Sequence, residues 1–547
     1  MSETAGDRMV RHFRQILLWP LQLMPLTEGA QIQRHWEHLE RAAGGHPWAE
    51  VLDEFGDPST FQERHYIEFV TFLPYVQRFL YGEGAGAGAT GYGESPIRVF
   101  RRRDITEVRM TYRDGTSLAF GVAHVDLYFF YDIDIVIPVV EIYADDVPFA
   151  RVQDTLFRFG RSYPSFWDEE GRGGNCLVRA EWLAGDGRVL SASDYEDRDK
   201  YLSYVCRHRA PAIASHWEFL LKPMVLHHSG ESGVLRYRQI EYDRMPLMSF
   251  LSLDDPTDLR REEFVALALV TRPAEPGALP CAGKLLEDFE RRYCYDRFWE
   301  PGTRHPWINT RLLCSGHAFS MVGCHGERYF TDPETGLLGQ FRHQYFLTCL
   351  IAHFHNAALL MLSDRLVGAV SRLDIHDVDS VKRFKRRIRE IFEIFLRFTH
   401  RYWFHEISIQ AQAKALFDMW RGHLGTDQLY AEVREEVQDM SQYLDSDSFR
   451  RQANTVVRLT VVTTFGLVGT VATGFLGMNL IAEGEAPLAT KLLYFVVVFL
   501  PVAVLTLYTV MKSKPLSDFL EALSDERVSL RAKLGVLLDV WRKAPRR

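Results

Sequence analysis

Apolar residues recur at spacings of three and four through residues 1 to about 80, as at Phe69, Phe72, Tyr75 and Phe79, and predict helix there. A stretch of little but Gly and Ala, Gly82 to Gly93, then removes any periodicity and predicts a flexible linker. From about 96 to 340, short β-type runs alternate with helical ones. Val99–Phe100, Glu107–Tyr112, Leu118–Val122 and Leu127–Tyr131 continuing to Ile133–Ile142 predict strands. Arg113-Asp114-Gly115 and Asp332-Pro333-Glu334-Thr335-Gly336 predict turns between elements. The pattern is that of an α/β or α+β domain.

After Gly339 the character changes: Gly and Pro almost vanish from 341 to 454. Leu429, Val433, Val437, Met440 and Leu444 step by four and three along one helix face, with charges on the others. This predicts a long stalk helix running without a break into the apolar segment that follows. Leu459 to Leu476 holds eighteen uncharged residues and Leu492 to Met511 twenty. Each approaches the length needed to cross ~30 Å of hydrocarbon at ~1.5 Å per residue. The expected organisation is a helical segment and linker at 1–95, an α/β domain at 96–340, a helical stalk at 341–454, a transmembrane hairpin at 455–511 and a tail at 512–547.

Charge orients the hairpin. Arg450, Arg451 and Arg458 precede the first span and Lys512 and Lys514 follow the second, while the short connection carries Glu483 and Glu485 against Lys491. The positive-inside rule predicts a multi-pass protein of the cell inner (plasma) membrane, with both termini in the cytoplasm and the loop outside. Ile16-Leu17-Leu18-Trp19, flanked by Arg11, Arg14 and Pro20, is too short for a signal peptide, which agrees. A net charge of -8 argues against nucleic acid as a partner. The seven scattered cysteines fit a reducing compartment.

The two spans differ in kind. The second is bulky and apolar nearly all round. The first carries Thr460, Thr463, Thr464, Thr470 and Thr473 with Gly466, Gly469 and Gly474. Small residues allow close helix approach, and hydroxyls tolerate an aqueous path. At about 100° per residue, Val456, Leu459, Thr463, Leu467, Thr470 and Gly474 share one face, the expected pore lining. One hairpin has no lumen, so a conduit requires an oligomer with the first spans inward.

The segment Ala453 to Leu480, ANTVVRLTVVTTFGLVGTVATGFLGMNL, with Gly477-Met478-Asn479 ending the first span, resembles the pore helix of the CorA-type magnesium transporter superfamily. The match covers roughly residues 400 to 511. The resemblance implies a homopentamer in the lipid bilayer, five first spans around a pore, a cytoplasmic funnel on stalk helices, and passage of a divalent cation, Mg²⁺ first. Mg²⁺ sheds its waters reluctantly, and a ring of Asn479 amides could accept hydrogen bonds from them. Glu483 and Glu485 could concentrate cations at the outer mouth. In the resembled family, cytoplasmic acids bind the ion and hold the pore shut; Glu432, Glu435, Glu436 and Asp439 are candidates for such Mg²⁺ sensing. The chain departs from the family pattern in Leu476, where an aromatic residue is common, in its outer loop Ile481 to Pro487, and in its longer cytoplasmic region.

Alternatives from the same residues are a Zn²⁺, Co²⁺ or Ni²⁺ transporter, possibly proton-coupled, and a non-conducting membrane-anchored regulatory or scaffolding protein. Soft metals favour Cys or His ligands, and neither span nor the loop has one. Tyr345 to Leu362 is long enough to span a membrane, but His353, His355 and Asn356 at its centre predict a buried helix instead. Gly86 to Gly91 matches G-x-G-x-x-G without the strand and helix a dinucleotide site needs. Asp126, Asp132 and Asp134 are expected on the wet face of a half-buried strand. Lys382 to Arg387 is expected on a solvated helix face. No catalytic constellation and no organic cofactor are expected.

Overall fold

The computed structural model describes residues 8–24, 34–40, 45–51, 63–82, 96–230, 235–241, 243–272, 281–302, 305, 309–374, 377–477 and 487–511. The chain divides into two compact units, Met1–Val437 and Gln438–Arg547.

The first unit opens with β1 (Met9–Leu18), β2 (Leu21–Met24), α1 (His35–Glu40) and β3 (Trp48–Glu50). Helices α2 (Glu63–Thr71) and α3 (Pro74–Tyr81) follow, then β4 (Ile97–Arg102), β5 (Glu107–Thr111), β6 (Ser117–Phe130) and β7 (Ile135–Pro148). Next come α4 (Phe149–Arg158), β8 (Arg179–Leu183), β9 (Val189–Ala192), α5 (Arg198–His208) and α6 (Ser215–Leu221). After these lie β10 (Val225–Leu226), β11 (Arg236–Gln239), β12 (Leu247–Leu253), α7 (Arg261–Leu269) and α8 (Gly283–Tyr293). The last strands are β13 (Cys294–Tyr295), β14 (Arg311–Cys314) and β15 (Ala318–Cys324). Helices α9 (Arg328–Thr331), α10 (Leu337–Gln340), α11 (Phe346–Ser371), α12 (Val378–Arg401) and α13 (Ala411–Leu424) complete it, and α14 (Thr426–Leu476) begins there.

The strands form one mixed sheet in the order β13-β14-β15-β12-β1-β7-β6-β5-β8-β9, with β2, β11 and β10 branching from β7 and β4 and β3 from β6. Most ladders are antiparallel; β12 with β15 and β10 with β11 are parallel. Strand β7 is buried along Ile135–Ile142, because α4 covers one face and α11 the other. Period-two alternation assigns the faces on β6. Leu127 and Phe129 enter the core around Trp182 and Trp217, while Phe130 stacks on Phe354 of α11 with ring centroids 4.0 Å apart.

The helical expectation for residues 1 to 80 is corrected at Met9–Met24, which form strands. β1 is central, paired with both β7 and β12, and its residues alternate: Phe13 and Leu17 enter one core while Arg14 points to the charged network described below. Helix spacing does hold at α2 and α3, but Pro74 divides them. Residues 341 to 424, expected as part of the helical stalk, are helical and pack within the first unit. α11 packs on β7 and β2, α12 on α11, and α13 on β14. The linker 83–95 and the tail 512–547 lie outside the described residues.

In the second unit the described residues are the remainder of α14 and α15 (Leu488–Met511).

Candidate ion-conducting helices

Gly425 closes α13 in the left-handed conformation, φ 66°, and α14 starts at the next residue. No Gly or Pro occurs between Thr426 and Arg458, and α14 is assigned as helix over 51 residues. Its first turns are anchored by the apolar stripe. Val433 and Val437 are buried, Leu429, Met440 and Leu444 half-buried, and Tyr430 stacks on Trp403 at 4.4 Å between centroids. Glu432, Glu435, Glu436 and Asp439 are all exposed; Glu432 accepts a hydrogen bond from Gln428 Nε2 at 2.9 Å. Among the described residues no group of three or more His, Cys, Asp or Glu is arranged to hold a metal ion within one chain.

Further along α14, Val456, Leu459, Thr463, Leu467, Thr470 and Gly474 are all exposed, Leu459 and Leu467 by 63% and 66%. Val461 and Gly469, turned away from that face, are buried. A Cβ on Gly469 would sit 2.8 Å from Val502 Cγ1 of α15, so the missing side chain is what lets the two helices approach. The threonines satisfy their own donors: Thr463 Oγ1 donates to Leu459 O at 2.9 Å and Thr470 Oγ1 to Gly466 O at 2.9 Å. Each hydroxyl oxygen thereby keeps lone pairs free to accept. The amide of Gly477 donates to Thr473 O at 3.0 Å and closes the last turn. Met478, Asn479, Glu483 and Glu485 lie outside the described residues. In α15, Leu488, Leu492, Leu493, Val497, Leu500 and Val504 are exposed, and Pro501 sits inside the helix.

Among the described residues, the helical run Leu337–Ser371 is long and apolar enough to cross a membrane, with mean hydropathy 1.5, and its apolar window is 83% buried. Leu488–Val502 is a shorter apolar stretch. The polar centre of the first run is buried and met in part by protein groups, though Nδ1 of His353 and of His355 has no hydrogen-bond partner. His355 Nε2 lies 2.5 Å from Tyr402 O, and Asn356 Nδ2 donates to Glu241 at 3.1 Å. Burial pushes His353 down to about 4 and His355 to about 3, so both are neutral core residues. On α12, Lys382, Arg383 and Arg386 are exposed while Phe384 and Ile388 are buried, as expected of a solvated face.

The three aspartates correct the sequence reading. They are not on a wet face, and each has its own cation. Asp126 accepts from Arg101 at 2.7 and 2.8 Å. Asp134 pairs with Arg365 and, at 2.8 Å, with His35; burial alone would raise its carboxyl, but these partners hold it down to about 2. Asp132 lies 3.5 Å from Arg397 and 3.9 Å from Arg401. Nearby, Glu141 is buried in β7 and accepts from Arg14 at 2.6 Å and Arg342 at 2.8 Å. Its cue in the sequence is one acid inside the apolar run Ile135–Ile142. A cavity of about 580 Å³ adjoins this network. Its charges are matched within the protein, Arg101 by Asp126, Arg98 by Glu50, and His343 by Glu68.

Comparison with known proteins found no matching family model, no matching curated protein and no matching solved structure. The resemblance at Gly477-Met478-Asn479 stands on those residues and their setting alone.

Proposed function

We propose that the protein is an oligomeric divalent-cation transporter, with Mg²⁺ as the ion its chemistry suits best, and that the end of α14 lines the conduit. The observation that carries this reading is the division of the helix surface. Gly469 faces α15, whereas Thr463, Thr470 and Gly474 lie exposed with Leu459 and Leu467 on the other side. An exposed face of that composition calls for partners, and a ring of identical helices would surround an aqueous path with hydroxyl acceptors. α15, apolar and exposed at Leu488, Leu492, Leu493, Val497, Leu500 and Val504, suits contact with lipid. On this reading the two helices form a membrane hairpin, with Asn479 amides at the mouth accepting hydrogen bonds from a hydrated ion. An inside-negative potential drives a divalent cation inward by about 4.6 kcal/mol per 100 mV, at ~2.3 per charge. A homopentamer, as in the resembled family, is the expected assembly. Exposed stalk acids Glu432, Glu435, Glu436 and Asp439 would meet a sensing cation only across a subunit boundary.

Flux of Mg²⁺, Zn²⁺ and Co²⁺ into proteoliposomes tests the proposal, with Asn479→Ala as control. Mg²⁺ entry that collapses in the variant is the expected result. No flux of any divalent ion under an inside-negative potential would overturn it and leave a membrane-anchored scaffold. Zn²⁺ flux that requires a pH gradient would assign a proton-coupled exporter or importer of softer metals.

A further inference from the structure

A second cavity in the first unit, of about 960 Å³, is richer in basic groups than the charge-matched one beside Glu141. Four arginines and four histidines line it against two carboxylates, Glu241 and Asp243. Two of the four arginines are matched, Arg161 by Asp243 and Arg238 by Asp364 of α11, so Arg209 and Arg244 set the character of the cavity. Asp243 is engaged by Arg161, whose Nη1 donates at 2.6 Å. Burial pushes the Glu241 carboxyl up, toward its uncharged form.

The arginine at the cavity's inner wall is held without a directly bonded counter-charge. Arg244 donates to the carbonyls of Val270 at 2.9 Å and Leu269 at 3.3 Å, neutral groups that fix its plane, while Asp243, already bonded to Arg161, acts on it only through space. Val270 is a β-branched residue in the left-handed region, φ 47°, a costly conformation that turns its carbonyl to this use. Arg209 and His228, at φ 55° and 69°, also line the cavity. Three of the six non-glycine residues with positive φ among the described residues therefore lie at one site. Arg209 and Val270 are the residues that end α5 and α7, a usual place for this conformation, so the helix ends account for their backbone and place them at the cavity.

The histidines repeat the theme. The His208 and His228 rings stack with centroids 5.6 Å apart, and His227 lies 3.9 Å from His228. Burial, His228 and the arginines Arg238 and Arg236 push His227 down to about 4, while burial, His208 and the same arginines push His228 below its ordinary value. Across the cavity, His317 Nε2 is sealed from solvent with no hydrogen-bond partner. The charges of Arg209 and Arg244 disfavour a metal cation here, and an anion would supply acceptors to their N–H groups and to the N–H groups of neutral imidazoles facing the cavity.

We propose that this cavity binds a phosphate-bearing small molecule of the nucleotide class, with Arg244, Arg209 and the histidines on its phosphates. The apolar wall of Leu226, Ile240 and Leu360 would take its uncharged part. The proposal does not rest on cation transport.

The test is calorimetric titration of the full-length protein in nanodiscs with ATP, inorganic pyrophosphate and adenosine. ATP and pyrophosphate should bind, more weakly as salt rises, and adenosine should not. A doubly substituted Arg209→Asn/His228→Asn protein keeps two residues that tolerate the left-handed backbone and removes two donors; it should bind pyrophosphate at least about tenfold more weakly. Absence of anion binding at millimolar ligand overturns the site. So does adenosine binding as tightly as ATP, or salt-insensitive binding. An unchanged pyrophosphate affinity in the double variant, with its thermal melting also unchanged, overturns the assignment of these residues.

Discussion

Helices α11 and α15 are alike in length, 26 and 24 residues, and both read as apolar sequence. Their surroundings are opposite. α11 is buried between the sheet, α12 and α13, while α15 exposes Leu492, Leu493, Val497 and Leu500. The contrast teaches that apolarity records a need for cover without saying what provides it. In α11 the cover is the protein itself, and side-chain detail reveals it: His353, His355 and Asn356 are tolerable only where protein groups meet them. α15 carries no such polar residue at its centre, and α14 beside it carries only hydroxyls and glycines, which need no outside partner.

The largest expected effect separates the two helices directly. Phe354 of α11 stacks on Phe130 and touches Phe79, Phe398 and Tyr402. Phe354→Ala should cost about 3–5 kcal/mol of unfolding free energy, measured by denaturant titration in detergent. Leu493→Ala in α15, where the side chain is exposed, should change it by no more than about 0.5 kcal/mol in the same experiment. Equal losses would break the distinction.

Acid should weaken the cover around α11. The unfolded histidines titrate near 6.5, while folded His353 and His355 are held down to about 4 and about 3 by burial. Protons therefore bind the unfolded chain more readily. The stability tied to this pair is intact above 6.5 and is lost as pH falls from there toward the folded values. At pH 5 the loss is roughly 2 kcal/mol for each histidine. Denaturation midpoints of wild type and of His355→Phe, compared between pH 7 and pH 5, read it. The variant should lose less, and a pH response identical to wild type would remove His355 from the explanation.

How much of this was legible in the sequence follows the same divide. The hairpin turn at Arg113-Asp114-Gly115 and the buried status of Tyr345 to Leu362 come from local pattern, and the fold keeps them; the strand runs hold in type, but Leu118–Val122 and Leu127–Phe130 join in β6, and a turn at 131–134 parts it from β7. Met9–Met24 was misread because its strand identity comes from pairing with β7 and β12, residues more than a hundred positions away. Asp126, Asp132 and Asp134 were misread for a related reason: alternation with Ile and Val shows a face, but the arginines that bury it arrive from β4, α11 and α12. The basic cavity left only a faint trace, the doublet His227-His228, since its walls come from α5, β11, α11 and the turn at His317. The proposed pore face, by contrast, is one helix and needs only a 100° wheel to find.

At Gly469 the second unit meets its own packing limit. Gly469→Leu would drive a side chain into Val502, and overpacking of this sort costs about 1–3 kcal/mol. Thermal melting of the purified protein in nanodiscs should show it, and a second substitution, Val502→Ala, should recover part of the loss. No recovery would mean that α14 and α15 do not meet there.

Gly474 carries the smallest effect and the sharpest comparison with Gly469. It lies on the exposed face, and a Cβ there meets nothing within 4 Å. Replacing glycine with alanine inside a helix gains about 0.5–1 kcal/mol from the unfolded chain's lost freedom when nothing obstructs the methyl group. Gly474→Ala should therefore raise the melting temperature slightly in dilute detergent, where the exposed face has no neighbour. In a lipid bilayer the same substitution reports on what that face touches. If the face looks into a water-filled lumen, the gain persists and divalent flux falls only modestly. If instead Gly474 is where one copy's helix presses on another, the methyl group intrudes, the gain reverses and the oligomer weakens. Melting and cross-linked oligomer yield, measured together in both media, distinguish a lumen from a helix-helix seam on the face that α15 leaves uncovered.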